Sequence, residues 1–147
     1  MKQLILFLSI VILCGCEFFI KGDPIVMAGL DVTRVEFIPG EEVQSPYDSY
    51  SFRTEPAGDT LKCTLYTAYI LKNDTLSEIY ADRYEKELNI RLSSSPFLFD
   101  WNTGAVVENP VFVAHKITFE IIGLEHGTYK TNISVNSLTQ ESNRIDF

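Results

Sequence analysis

Beyond its first thirty residues, most of this chain alternates apolar and polar positions with period two. Between 60 and 72, Leu61, Cys63, Leu65, Thr67, Tyr69 and Leu71 share one parity, and Lys62, Thr64, Tyr66, Ala68 and Ile70 share the other. Successive side chains of a strand point to opposite faces, so the first set reads as a core face and the second as half covered. Residues 111–122 repeat the pattern with Val111, Val113, His115, Ile117, Phe119 and Ile121, and so do Tyr129, Thr131, Ile133 and Val135 after Gly123. Residues 32–38 are rich in strand formers and stop at Pro39-Gly40, a turn dipeptide. A polar loop follows through Glu41, Glu42 and Pro46. Tyr50 and Phe52 then mark a short strand closed by the turn-forming run from Glu55 to Asp59, and 144–147 is a last short strand.

Residues 75–92 support two readings. Thr75-Leu-Ser-Glu78 matches a helix capping box, and Leu76, Tyr80, Tyr84 and Leu88 lie four apart. Against this, Tyr84, Leu88, Ile90 and Leu92 alternate with Glu85, Glu87, Asn89 and Arg91, with only Lys86 out of place. Two strands are favoured, and one helix is the competing reading. A long loop over roughly 96–110 separates this stretch from the next strand. The expected fold is therefore all-β: a single antiparallel β-sandwich of about seven or eight strands, occupying 31–147.

The first sixteen residues, MKQLILFLSIVILCGC, follow a different rule. Lys2 precedes an apolar run over 4–13 broken only by Ser9, which is the layout of an export signal. The run is too short for a bilayer core, which needs about 20 apolar residues. At its end, Leu13-Cys14-Gly15-Cys16 resembles the lipobox of bacterial lipoproteins, with Cys14 where Ala, Ser or Thr is commoner. The resemblance implies cleavage after Gly15, thioether lipidation of Cys16, and membrane attachment through the lipid. Glu17, where an aspartate favours inner-membrane retention, implies the outer membrane. Residues 16–30 then form a tether broken by Gly22, Pro24 and Gly29. As a whole the chain is similar to the small lipoproteins common in gut anaerobes.

Composition narrows the partners. Loss of residues 1–15 removes one charge, Lys2, and leaves 11 basic against 20 acidic side chains, or −9. No Lys/Arg cluster exists to neutralise phosphates, so nucleic acid is excluded as a partner. With Cys14 cleaved and Cys16 lipidated, Cys63 has no intramolecular partner, so neither a disulfide nor a cysteine metal site forms.

Within 117–135, Leu124, Gly127, Thr128 and Tyr129 resemble the turn that precedes the penultimate strand of immunoglobulin-like and fibronectin type III domains. His126 stands where proline is usual. The resemblance implies a fold class, with the Tyr129 hydroxyl bonded to nearby backbone, and no activity.

Chemical constellations are sparse. His115 alternates with core residues and reads as a satisfied core histidine; His126 lies in a turn, and the two are not spaced as a metal pair. No nucleophile elbow, phosphate loop or zinc-protease helix motif occurs. No cofactor and no metal are expected. Asp100-Trp-Asn-Thr-Gly104 begins like a calcium loop and lacks the later acidic ligand. Asp59-Thr60-Leu61 and Asp74-Thr75-Leu76 resemble a bacterial O-glycosylation pattern, which would place both threonines at exposed strand ends. The sharpest candidate is the 97–102 loop: Phe97, Phe99 and Trp101 alternate, and Asn102 turns away beside Asp100. Either these rings cap one end of the sandwich core, the favoured reading, or Trp101 is left exposed and the rings stack a sugar or anchor a partner.

Two functions follow. One is a non-catalytic, lipid-anchored cell-envelope module that binds a glycan, a peptide or a partner protein. The other is a small envelope hydrolase built on a carboxylate pair such as Glu41 with Glu42, or Asp100 with Glu108. A flat sheet face carrying exposed aromatics favours the first, and a cleft with converging carboxylates the second.

Overall fold

The computed structural model describes residues 28–95, 110–139 and 143–147. Over these the chain is all-β: β1 (Ala28–Ile38), β2 (Glu42–Val43), β3 (Tyr50–Ala57), β4 (Thr60–Thr67), β5 (Thr75–Tyr84), β6 (Glu87–Ser95), β7 (Phe112–Val113), β8 (His115–Ile122), β9 (Thr128–Val135), β10 (Leu138–Thr139) and β11 (Asn143–Asp146). The sole helical turn among the described residues is the 3₁₀ piece Pro46–Asp48, capped by the Ser45 hydroxyl, which accepts from the Tyr47 N–H at 3.2 Å.

β1 joins the two faces of the fold. Ala28–Leu30 pairs with β5, and Asp31–Ile38 pairs with β8, so the same strand belongs to both layers. The order β10-β9-β6-β5-β1-β8-β4-β3, with β11 also on β9, makes one large sheet curled into a half-barrel; β2 and β7 form a small second sheet. The expected all-β, sandwich-like architecture is what forms, with one correction to its topology. β6 and β9 run parallel, from Glu87↔Lys130 to Leu92↔Val135, so the sheet is mixed. Alternation has the same period whichever way a strand runs, so it carries no information on orientation.

The inward parities are the expected ones. Leu61, Cys63, Leu65, Ile117, Phe119 and Ile121 face Leu88, Ile90, Leu92, Tyr129, Ile133 and Val135 in one buried cluster. Burial pushes the Cys63 thiol up to about 12, and its Sγ–H points to the Leu61 carbonyl at 3.8 Å. It is the one free, buried cysteine among the described residues.

Residues 75–92 form two strands, not a helix. Thr75 Oγ1 donates to the Ser95 carbonyl at 3.0 Å instead of capping a helix. A bulge between Leu76 and Glu78 shifts parity, which brings Leu76, Ile79 and Ala81 all towards the core. The strand expected over 60–72 stops at Thr67, where the Thr67 hydroxyl accepts the Tyr69 N–H at 3.2 Å and bends the chain. Ala68, Tyr69, Ile70 and Leu71 are consequently all buried, with no alternation. The strand expected over 111–122 is likewise split at Ala114, whose N–H leaves the ladder for the Glu41 carbonyl at 2.9 Å.

A buried polar network closes one end. Asn136 and Ser137 both have positive φ, +49° and +68°, as a tight two-residue hairpin between β9 and β10 requires. Asn136 Nδ2 donates to the Tyr69 carbonyl and its Oδ1 accepts the Ser94 N–H, both at 2.9 Å, while Ser94 Oγ–H donates to Asp74 at 3.0 Å. At the sheet's edge, β3 carries Arg53, Glu55 and Pro56, and turns into β4 through Gly58 at φ +64°.

Tyr129 is 1 % exposed and its hydroxyl donates to the Glu125 carbonyl at 2.8 Å, the backbone bond expected from the turn motif. Tyr129→Phe keeps the ring and removes one hydrogen bond, so it should cost about 0.5–1.5 kcal/mol in urea unfolding. An unchanged midpoint would remove that bond as a brace of the turn.

His115 is buried, as expected, and stacks on Phe37 with centroids 4.6 Å apart. Its nitrogens lie near the Ile70 and Leu71 backbone, without reaching full hydrogen-bond geometry to any described residue. Burial holds its pKa below the ordinary histidine value, against smaller upward pulls from the Ile70 and Leu71 backbone and from Asp74. Below about pH 6.5 the unfolded chain takes up a proton that the folded chain refuses. Stability should therefore fall as pH drops from about 6.5 towards the lowered folded value, and His115→Phe should flatten that slope. Urea midpoints at pH 7.5 and 5.5 measure it; an identical slope in the variant would assign the loss to other groups.

Candidate ligand-binding face

The outward parity of β5, β6 and β9 builds a polar surface with a tyrosine at each end of its β5 side. In the register, Tyr80 opposes Arg91, Asp82 opposes Asn89, Tyr84 opposes Glu87, and Asn89 opposes Asn132 on β9. Asp82 is 0 % exposed although it belongs to this outer parity. Both its oxygens are engaged: Oδ1 accepts from Asn89 Nδ2 at 2.7 Å, and Oδ2 from Arg91 Nη2. Asn89 Oδ1 in turn accepts from Asn132 Nδ2 at 3.0 Å. The result is a chain of planar groups running across three strands, each fixed by the next. On the β1 side Asp82 faces Gly29, where a Cβ would sit 3.6 Å from the Tyr80 hydroxyl.

Both tyrosines are exposed. Tyr80 and Tyr84 are 40 % and 38 % accessible, and four residues of strand place them roughly 13 Å apart on one face. The Arg91 guanidinium carbon lies 5.2 Å from the Tyr80 ring centroid, which braces that ring through a cation–π contact. Asn132 Oδ1 makes no hydrogen bond among the described residues and offers an acceptor beside the ladder. Chemically, the face presents flat apolar rings next to immobilised planar polar groups. A sugar ring has the matching shape, an apolar C–H face with a rim of hydroxyls that both donate and accept.

The opposite outer face, across β1, β8, β4 and β3, holds a groove of about 610 Å³. Thr64 and Thr118, paired in register, form its floor. A bulge in β1 sets Arg34 at φ +50° and delivers its guanidinium to Glu120 at 3.1 Å. Lys62 lies opposite both Glu55 and Glu120, and Glu36 accepts the Thr118 hydroxyl at 3.4 Å. The groove's charges are thus set against one another across the strands.

Several residues singled out from sequence fall elsewhere. Phe97, Phe99, Trp101 and Asn102, with Asp100 and Glu108, lie outside the described residues, as does Cys16. Glu41 and Glu42 are exposed, and Glu42 is bound to Lys72. His126 is exposed and stacks on Phe147 at 4.7 Å, on a different strand connection from buried His115. No group of three His, Cys, Asp or Glu side chains among the described residues could hold a metal ion. Thr60 is half-buried at the start of β4, and Thr75 is exposed at the start of β5 with its hydroxyl engaged.

The Tyr80–Tyr84 face was legible in principle. Its signal was the spacing of four that favours a helix, since residues four apart also share a strand face. Compared with family models, curated proteins and solved structures, the chain matches none.

Proposed function

We propose that this chain is a non-catalytic, lipid-anchored binding module of the cell envelope, held in the outer membrane through Cys16, and that the β5–β6–β9 face holds a glycan. The observation that carries the ligand class is the pair of exposed rings, Tyr80 and Tyr84, beside the fixed Asp82–Asn89–Asn132 ladder. A binding surface needs its polar groups held before the ligand arrives, because ordering them on contact costs affinity. Here the buried Asp82 carboxylate does that work. The hydrolase alternative has less behind it: in the groove, Glu120 is occupied by Arg34 and Glu36 by Thr118, and Glu42 is tied to Lys72. The attachment rests on the Leu13-Cys14-Gly15-Cys16 motif. Two or more acyl chains, at about 0.8 kcal/mol per buried CH₂, make such an attachment stable.

A glycan array probed with the full chain in detergent micelles tests the ligand class. Tyr80→Ala and Tyr84→Ala should each weaken the bound glycan about three- to tenfold, the worth of roughly 0.5–1.5 kcal/mol of ring contact. Folding stability should move by no more than about 0.5 kcal/mol, since both rings are exposed. An array without any hit, or hits indifferent to both substitutions, would return the face to plain surface and favour a peptide or protein partner.

The anchor is tested separately in cells. Cys16→Ser should abolish lipid labelling and accumulate the uncleaved precursor; normal labelling of that variant would overturn the attachment.

A further inference from the structure

Beside Tyr84 the same face carries a charge arrangement that the neutral chemistry of a sugar does not explain. β11 pairs with β9 so that Arg144 stands directly opposite Lys130. The neighbours Ile145 and Tyr129 point inward and are buried, so both cations belong to the outer parity, and both are exposed. Like charges directly opposite one another across a ladder are unfavourable. This occurs in a chain with 20 acidic and only 12 basic residues, where an acid at either position was the commoner choice. Glu87 reaches Lys130 at 3.5 Å, while Asp146, two residues from Arg144 on the same side of β11, keeps its charge but is oriented by the Thr128 hydroxyl at 2.7 Å and forms no ion pair with either cation. Arg144 has no ion-pair partner among the described residues. Among the described residues, Glu87 is thus the carboxylate ion-paired to this pair of cations, and it reaches only Lys130.

The row Tyr84–Glu87–Lys130–Arg144 crosses four adjacent strands, β5, β6, β9 and β11, and so spans roughly 14 Å at ordinary strand spacing. A ring stacked on Tyr84 would place the rest of a short oligosaccharide over the two cations. We infer that the glycan held on this face is an acidic one, and that its anionic substituent, a carboxylate or a sulfate, is received between Lys130 and Arg144. The inference rests on the glycan reading of the β5–β6–β9 face. An anion between the cations offsets their repulsion across the ladder. An arginine is suited to this role because its planar fork meets an oxyanion with two parallel hydrogen bonds. The net charge of −8 sharpens the test, since the molecule as a whole repels polyanions and only a local cationic patch can retain one.

The experiment is affinity electrophoresis of the full chain in detergent micelles through gels containing dextran, carboxymethyl-dextran or dextran sulfate. The three share one backbone, so they separate neutral sugar, carboxylate and sulfate. At least one charged polymer should retard the chain more than dextran does, and the two charged gels show which oxyanion is preferred. Lys130→Gln with Arg144→Gln should weaken that retardation about five- to tenfold, as loss of two screened charge contacts would. Arg144→Lys should restore part of it, and the near-ultraviolet circular dichroism should be unchanged. Equal retardation by all three polymers, retardation by none, or a preference that survives the double substitution would overturn the inference. The array decides the glycan reading independently, because neutral-sugar hits that depend on Tyr80 and Tyr84 would stand even if the acidic preference fell.

Discussion

Everything in this fold depends on β1 sharing its backbone between two layers. A strand has two edges of N–H and C=O groups, and a sandwich ordinarily spends both within one sheet. Here Ala28–Leu30 gives its pairing to β5 and Asp31–Ile38 to β8, so the hydrogen bonds that would leave two separate sheets make one curled sheet. The curl brings Leu61, Phe119 and Ile121 over Leu88, Ile90 and Tyr129 and excludes water between them. The bulge at Arg34 and Val35 follows from the same demand, because a strand that changes partners needs added twist. Loss of pairing at either half of β1 would open the core along its length.

The candidate face is a by-product of how the other layer is tied. β6 and β9 run parallel, which sets Asn89 beside Asn132 and Glu87 beside Lys130. A ladder of planar side chains arises because these outward positions fall in register with Asp82 on β5. Burial of Asp82 in an outward position is the unusual element. Its carboxylate accepts from both Asn89 and Arg91, and Arg91 in turn braces Tyr80, so one buried acid orders the groups between the two rings. The face is stiff because its polar groups satisfy one another, and still open because the tyrosines remain exposed.

Much of this was legible in sequence wherever alternation was unbroken. The parities of 61–67, 115–121 and 129–135 predict the buried set, and the Tyr129 hydroxyl bond follows from the turn motif before it. What escaped was whatever period two cannot encode. Strand direction is one such property, hence the unexpected parallel ladder. Bulges are another: the extra residue near Ser77 makes Leu76 and Tyr80 face opposite sides although they lie four apart, and no residue type announces it. Local side-chain bonds are a third, since the Thr67 hydroxyl ends β4 in a stretch whose alternation continues to Leu71. The tyrosine pair was visible as a spacing, but the same spacing fits a helix, and only the pairing of β5 with β6 decides between them.

The β3 edge has a consequence for molecules crowded on a surface. An unpaired strand edge is a template on which a neighbouring chain can extend the sheet, and the hazard grows with local concentration. β3 ends the large sheet, yet Pro56 offers no N–H there, and Arg53 and Glu55 put charges of both signs along it. A second copy arriving edge to edge would have to bury those charges and forgo a ladder bond. Sheet extension through the β3 edge is therefore disfavoured, however close two copies come.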